Sequence, residues 1–83
     1  MLPGEELIQQ GIDDLAAGRE TIQSLLVSIG SPRLRQIGVN VPESTFPKPE
    51  HRLYELLRAE DADSAHSRYN ALIRRLVSFE RAA

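Results

Sequence analysis

The chain has no cysteine. That absence excludes disulfide staples, thiolate metal sites and cysteine nucleophiles together, and it leans towards a cytoplasmic setting. Long apolar runs are missing too. No stretch approaches the ~18 residues of a membrane-spanning helix, and the first residues, Met1-Leu2-Pro3-Gly4-Glu5-Glu6, are acidic where a secretory leader would be basic. No membrane association is expected. Lysine is nearly absent, with Lys48 alone against nine arginines, a usage that suits a bacterial protein. Reactive motifs are equally scarce: there is no glycine loop to cradle a phosphate, no histidine pair at zinc spacing and no serine elbow. Arg58 and His66, with seven residues and an expected helix break between them, depart from the Arg-to-His spacing of small all-α ribonucleases. No enzymatic activity, cofactor or small-molecule substrate is expected.

What the chain does have is aliphatic side chains. Eleven Leu, six Ile, four Val, two Phe and one Met among 83 residues suffice for one core and no second one. Residues 1–83 therefore read as a single domain, which at this size buries only ~60 to 65% of the surface its unfolded form exposes. Net charge is −2 and the isoelectric point about 5.6, which argues against bulk attraction to nucleic acid or anionic lipid. The charge is segregated, however. Residues 1–30 carry Glu5, Glu6, Asp13, Asp14 and Glu20 against Arg19, a balance of −4, whereas residues 64–83 carry four Arg against Glu80, a balance of +3. An acidic first helix and a basic last helix are expected to lie side by side, within a monomer or across a dimer.

Periodicity points to an all-α fold, a small bundle of three to four helices. Ile8, Ile12, Leu15, Ile22, Leu26 and Ile29 follow one heptad-like line, so 5–29 reads as one helix of about 37 Å at ~1.5 Å per residue. Gly11 and Gly18 interrupt it, and Arg19 takes a seam position. A break after Ala17 with Thr21 capping a second helix is the alternative, but the unchanged phase across Gly18 favours continuity. Arg19 on the seam must then snorkel or meet a carboxylate, for instance on a partner chain. Gly30 reads as a C-cap and Ser31-Pro32 as the start of a short helix, 32–37, ending at Gly38. Pro42, Pro47 and Pro49 mark an extended connection at 39–48, with Val39, Val41 and Phe46 strapping it to the core. Lys48 precedes a helix at 49–59 built on Leu53, Leu56 and Leu57. An acidic turn then leads into a last helix at 63–82, whose seam is Ala65, Tyr69, Leu72, Leu76 and Phe79. The last two helices are joined closely enough to form an antiparallel hairpin.

Candidate functional residues concentrate on that last helix. Asp63, His66 and Asn70, spaced by three and four, line one edge, where a carboxylate preceding an imidazole can orient it. One imidazole and one carboxylate make an incomplete metal set, and capping with local hydrogen bonding accounts for the same row. Arg68 and Arg75 are seven apart, as are Arg74 and Arg81, so two basic rows run along the outer face beside Tyr69 and Asn70. Arg68, Tyr69, Asn70, Arg74, Arg75 and His66 are the expected binding residues. The expected function is a protein–protein interaction or regulatory module working through helix faces, with a protein partner or a second copy, as in a homodimer. Nucleic-acid or phospholigand binding through the arginine rows is the alternative.

Overall fold

A computed structural model describes residues 2–83, folded as four helices: α1 Glu5–Ala16, α2 Ile22–Gln36, α3 Pro49–Glu60 and α4 Ala65–Ala82. There is no strand among the described residues, and the all-α expectation holds. The Cα radius of gyration is 12.0 Å, close to the ~12 Å of a compact globule of this length.

The helix drawn over 5–29 is in fact two helices. Gly18 adopts φ +74°, a left-handed conformation that suits glycine, and ends α1 in a Schellman turn. In that turn the Gly18 amide donates to the Leu15 carbonyl at 3.1 Å, and the Arg19 amide donates to that of Asp14 at 2.8 Å. Thr21 then starts α2 with a capping box. Its hydroxyl accepts from the Ser24 amide at 3.1 Å, while the Ser24 hydroxyl accepts from the Thr21 amide at 2.8 Å. The reversal folds α1 back onto α2, so the apolar stripes of the two helices face one another. Shared phase across Gly18 is therefore equally natural for a helical hairpin, and it was no argument for continuity.

The converse departure from expectation lies at Gly30. Gly30 does not cap a helix, and no new helix starts at Pro32, because α2 runs through both to Gln36. A Cβ at Gly30 would lie 2.8 Å from a Leu76 methyl, so the residue marks the close approach of α4 to α2. Pro32 removes one backbone donor from the helix interior, yet Leu34 beyond it is wholly buried, and its packing holds the last turn in place. The helix ends where expected, at Gly38, in a second Schellman turn.

α2 is the central element. It packs against α1, α3 and α4, and α3 packs against α4. Leu25, Leu26, Val27 and Leu34 are fully buried along it, and Ser24, Ser28 and Ser31 are small enough to be buried between neighbours. A helix covered on several sides loses a clean polar face, which is why its limits were hard to read from periodicity. Leu53, Leu57, Ala65, Leu76 and Phe79 complete the core from α3 and α4. The extended segment is a strap as expected. Val41 is buried, Val39 and Phe46 pack on the core, the Arg35 guanidinium donates to the Pro42 carbonyl at 2.6 Å, and the Phe46 amide donates to the Ser28 hydroxyl at 3.4 Å.

Candidate interaction surface

α3 and α4 form the expected hairpin, and it sorts the candidate residues into three groups. Tyr69 is half-buried against Tyr54 of α3, ring centroids 5.8 Å apart. Burial pushes its phenol up from the ordinary tyrosine range, with the charge of Glu50 adding to the effect. Arg68 donates to Glu60 at 2.8 Å and so clasps the end of the hairpin. These two residues hold α3 to α4. His66 and Asn70 are exposed and meet each other at 3.2 Å between Nε2 and Nδ2. Asp63 takes no part in that pair. It lies in the turn before α4, its amide donating to Asp61 Oδ1 at 3.1 Å, so the turn is organised by Asp61. Among the described residues no group of three His, Cys, Asp or Glu could hold a metal ion.

The third group is Arg74 and Arg75. Both are exposed, as is Arg81, and among the described residues none of the three is in an ion pair. Asn70, Arg74 and Arg81 follow the outward line of α4. Arg75 lies on the flank with Arg68, where both edge a shallow apolar groove of about 340 Å³ containing Leu7, Ile22 and Leu72. The six expected residues therefore do not converge on one pocket. Glu80 is half-buried against the bare backbone of Gly30. Burial raises its carboxyl above the ordinary range, and the charge of Arg33 offsets part of that rise.

The acidic half of the chain is arranged differently from expectation. α1 packs on α2, and α1 and α4 do not form a packed pair. They meet near Gly4, where a Cβ would lie 3.2 Å from the Arg75 carbonyl oxygen. No ion pair among the described residues joins the two helices. Glu5, Glu6 and Asp13 stay exposed, edging a groove of about 500 Å³ whose apolar floor is Ile8, Ile12, Val39 and Phe79. Phe79 belongs to α4, so this groove spans both ends of the chain.

Sequence reasoning missed Asp14, which is 4% exposed and accepts four hydrogen bonds. The Thr21 hydroxyl donates to it at 2.7 Å, Gln10 at 3.0 Å, and Arg19 through Nη2 at 3.0 Å and Nε at 3.2 Å. The Thr21 bond, followed by those of Arg19 and Gln10, holds the carboxyl below its ordinary range against the opposing effect of burial. Arg19 thus finds its carboxylate within its own chain, and the inference of a partner chain from its seam position falls. The signal available in sequence was the run Asp14, Gly18, Arg19, Thr21, which places an acceptor, a left-handed residue, a cation and an N-cap in order. Among the described residues no helix is long and apolar enough to cross a membrane. No family model, no curated protein and no solved structure matches the chain.

Proposed function

We propose that the chain is a non-enzymatic interaction module that binds protein through two charged helix faces, the acidic stripe of α1 and the basic outer line of α4. One observation carries the reading. The charge segregated in the sequence is not neutralised by contact between these helices, because α1 packs on α2 and leaves Glu6 and Asp13 exposed, while among the described residues Arg74, Arg75 and Arg81 are in no ion pair. Opposite faces of that kind steer a partner and fix its register. The apolar grooves beside them supply surface to desolvate on contact.

The test is capture from native lysate with nuclease present, comparing the wild type with Arg74→Glu plus Arg81→Glu and with Glu6→Arg plus Asp13→Arg. A protein retained by the wild type and lost with either reversal supports the reading; retention unchanged by both sinks it. The unpaired arginines also favour a second reading, an anionic polymer or phospholigand on α4. It predicts DNA or RNA retention that falls steeply with salt, and unchanged retention in Arg74→Glu plus Arg75→Glu removes it.

A further inference from the structure

We propose that the groove on the flank of α4 seats an acidic amphipathic helix of a protein partner, with Arg68 and Arg75 receiving its carboxylates. This deepens the reading of the chain as an interaction module and rests on it. Three observations choose that occupant.

The first is the apolar content of the groove. Arg68, Ala71, Leu72 and Arg75 follow one another at steps of three, one and three, so they form one side of α4, and Leu7 of α1 with Ile22 and Gln23 of α2 forms the facing wall. Leu7, Ile22, Ala71 and Leu72 are each only half-buried. Aliphatic surface laid along two turns of helix, in a hollow of about 340 Å³, suits a row of apolar side chains from another helix. The walls are fixed to each other where α1 begins, because a Cβ at Gly4 would lie 3.2 Å from the Arg75 carbonyl oxygen.

The second is charge. Among the described residues the groove is lined by two guanidiniums and no carboxylate. Arg75 is exposed and, among the described residues, in no ion pair. Arg68 is oriented by Glu60, to which Nη1 donates at 2.8 Å, and the other nitrogens of its fork remain for a second acceptor. A basic segment is repelled here, and an acidic one is complementary.

The third is span. Arg68 and Arg75 are seven residues apart, about 10.5 Å at ~1.5 Å per residue, so carboxylates two turns apart on a partner helix reach both. A fatty acid brings one carboxylate and needs a deep sleeve for its tail, whereas this groove is shallow and open along its length. Rim ion pairs are individually weak and screened by salt. Affinity should accordingly fall about tenfold or more between about 0.01 M and about 1 M salt, as the screening length drops from about 30 to about 3 Å.

The experiment is an amide chemical-shift titration of the isotopically labelled full chain against a synthetic helix of about 18 residues that carries leucines on one face with glutamates beside them. The peptide should move the amides of Leu7, Ile22, Ala71 and Leu72. Arg75→Glu should weaken binding about fivefold to tenfold, whereas Arg58→Glu, the same change of charge on the exposed side of α3, should alter it by less than about twofold. Equal loss in the two variants would mean bulk attraction and overturns the proposal. If circular dichroism shows that Arg75→Glu impairs folding, Arg75→Gln serves instead and should weaken binding about threefold. Peptides with lysine in place of glutamate, or glutamine in place of leucine, should each bind about tenfold more weakly, and undiminished binding of either overturns the proposal. Decanoate that moves the same amides as far as the peptide does assigns the groove to a small carboxylate and overturns it too, as do shifts that follow protein concentration alone, which assign it to a second copy. Should the glutamate peptide move none of these amides while the wild type still captures a lysate protein that Arg74→Glu plus Arg81→Glu loses, the acidic-helix assignment falls and the interaction module stands.

Discussion

Gly11→Ala is the substitution that tests the fold most directly, because two physical effects of opposite sign act at that residue. In the interior of an exposed helix, replacing glycine by alanine stabilises by about 1 kcal/mol. Gly11, however, is buried and faces α2. A Cβ there would press on the Gln23 carbonyl oxygen and lie 2.5 Å from Val27 Cγ2 and 2.9 Å from the Gln23 carbonyl carbon. Backbone cannot swing aside as a flexible side chain can, so α1 must lift from α2 along the line that buries Ile8 and Leu15. Overpacking of this kind typically costs 1 to 3 kcal/mol. Lost contact along the helix pair places it towards the upper end, for a net loss of about 2 kcal/mol after the propensity gain. With an unfolding entropy of ~2.1 cal/mol/K per residue, 83 residues give about 0.17 kcal/mol/K, and Tm should fall by about 12 °C. Thermal unfolding followed by far-ultraviolet circular dichroism measures it. An unchanged or raised Tm would refute the close α1–α2 crossing, and with it the helical hairpin.

Gly18→Ala separates the same two architectures. A Cβ there meets nothing within 4 Å, yet the left-handed φ of +74° should lower stability by about 1 kcal/mol, whereas a continuous helix would gain by a similar amount; urea midpoints decide the sign. Lys48, at φ 47° the one non-glycine with positive φ among the described residues, should be relieved by Lys48→Gly, raising stability by about 1 kcal/mol in the same assay. Asp14 has its folded pKa held below the ordinary carboxylate range, so the stability it contributes is complete above that range and fades as pH falls through the folded value. Thr21→Val removes the strongest of its hydrogen bonds, and acid unfolding should begin at higher pH in that variant; identical acid midpoints would contradict the assignment. Glu80 behaves in the opposite sense. Its folded pKa is raised, so its contribution is present below the ordinary range and is lost as pH rises through the folded value. Glu80→Gln should therefore unfold at a higher temperature than the wild type at neutral pH, a difference that narrows in acid.

The helices themselves were legible because their signals are local. Pro49 at the first position of α3, Gly38 closing α2 and the apolar steps of α4 act within a few residues of one another. The errors arose where a local signal has two meanings that tertiary contact separates. A glycine in an apolar pattern is either a left-handed stop or a bare patch for a neighbouring helix. Gly18 is the first, while Gly11 and Gly30 are the second, and the contacts that decide lie at Gln23 and Leu76. Pro32 had the same ambiguity, since its missing donor suits a helix start but is tolerated inside a well-buried one. On the candidate site, exposure of His66, Asn70, Arg74 and Arg75 was readable from the seam of α4. The capture of Arg68 by Glu60 and of Tyr69 by Tyr54 was not, because each depends on how α3 aligns against α4 across the turn at Asp61–Ser64.

The charge pattern shows why composition understates this surface. A net charge of −2 would suggest a molecule with little field, yet the fold keeps the two halves of that sum apart. Had these faces of α1 and α4 lain against each other, Glu6 and Asp13 would have met Arg74 and Arg81 inside the chain, and neither stripe would remain to offer. The Schellman turn at Gly18 prevents this by sending α2 back along α1, and Asp14, with Arg19 and Thr21 bound to it, holds the reversal in place. The acidic stripe then faces away from the bundle while α4 packs behind α2 and α3 with its arginines outward. The buried hub and the exposed stripes are thus two consequences of one local event. A variant that loosens the hub, such as Asp14→Ala, should blur the α1 register and weaken any contact made through Glu6 and Asp13, although it alters neither residue.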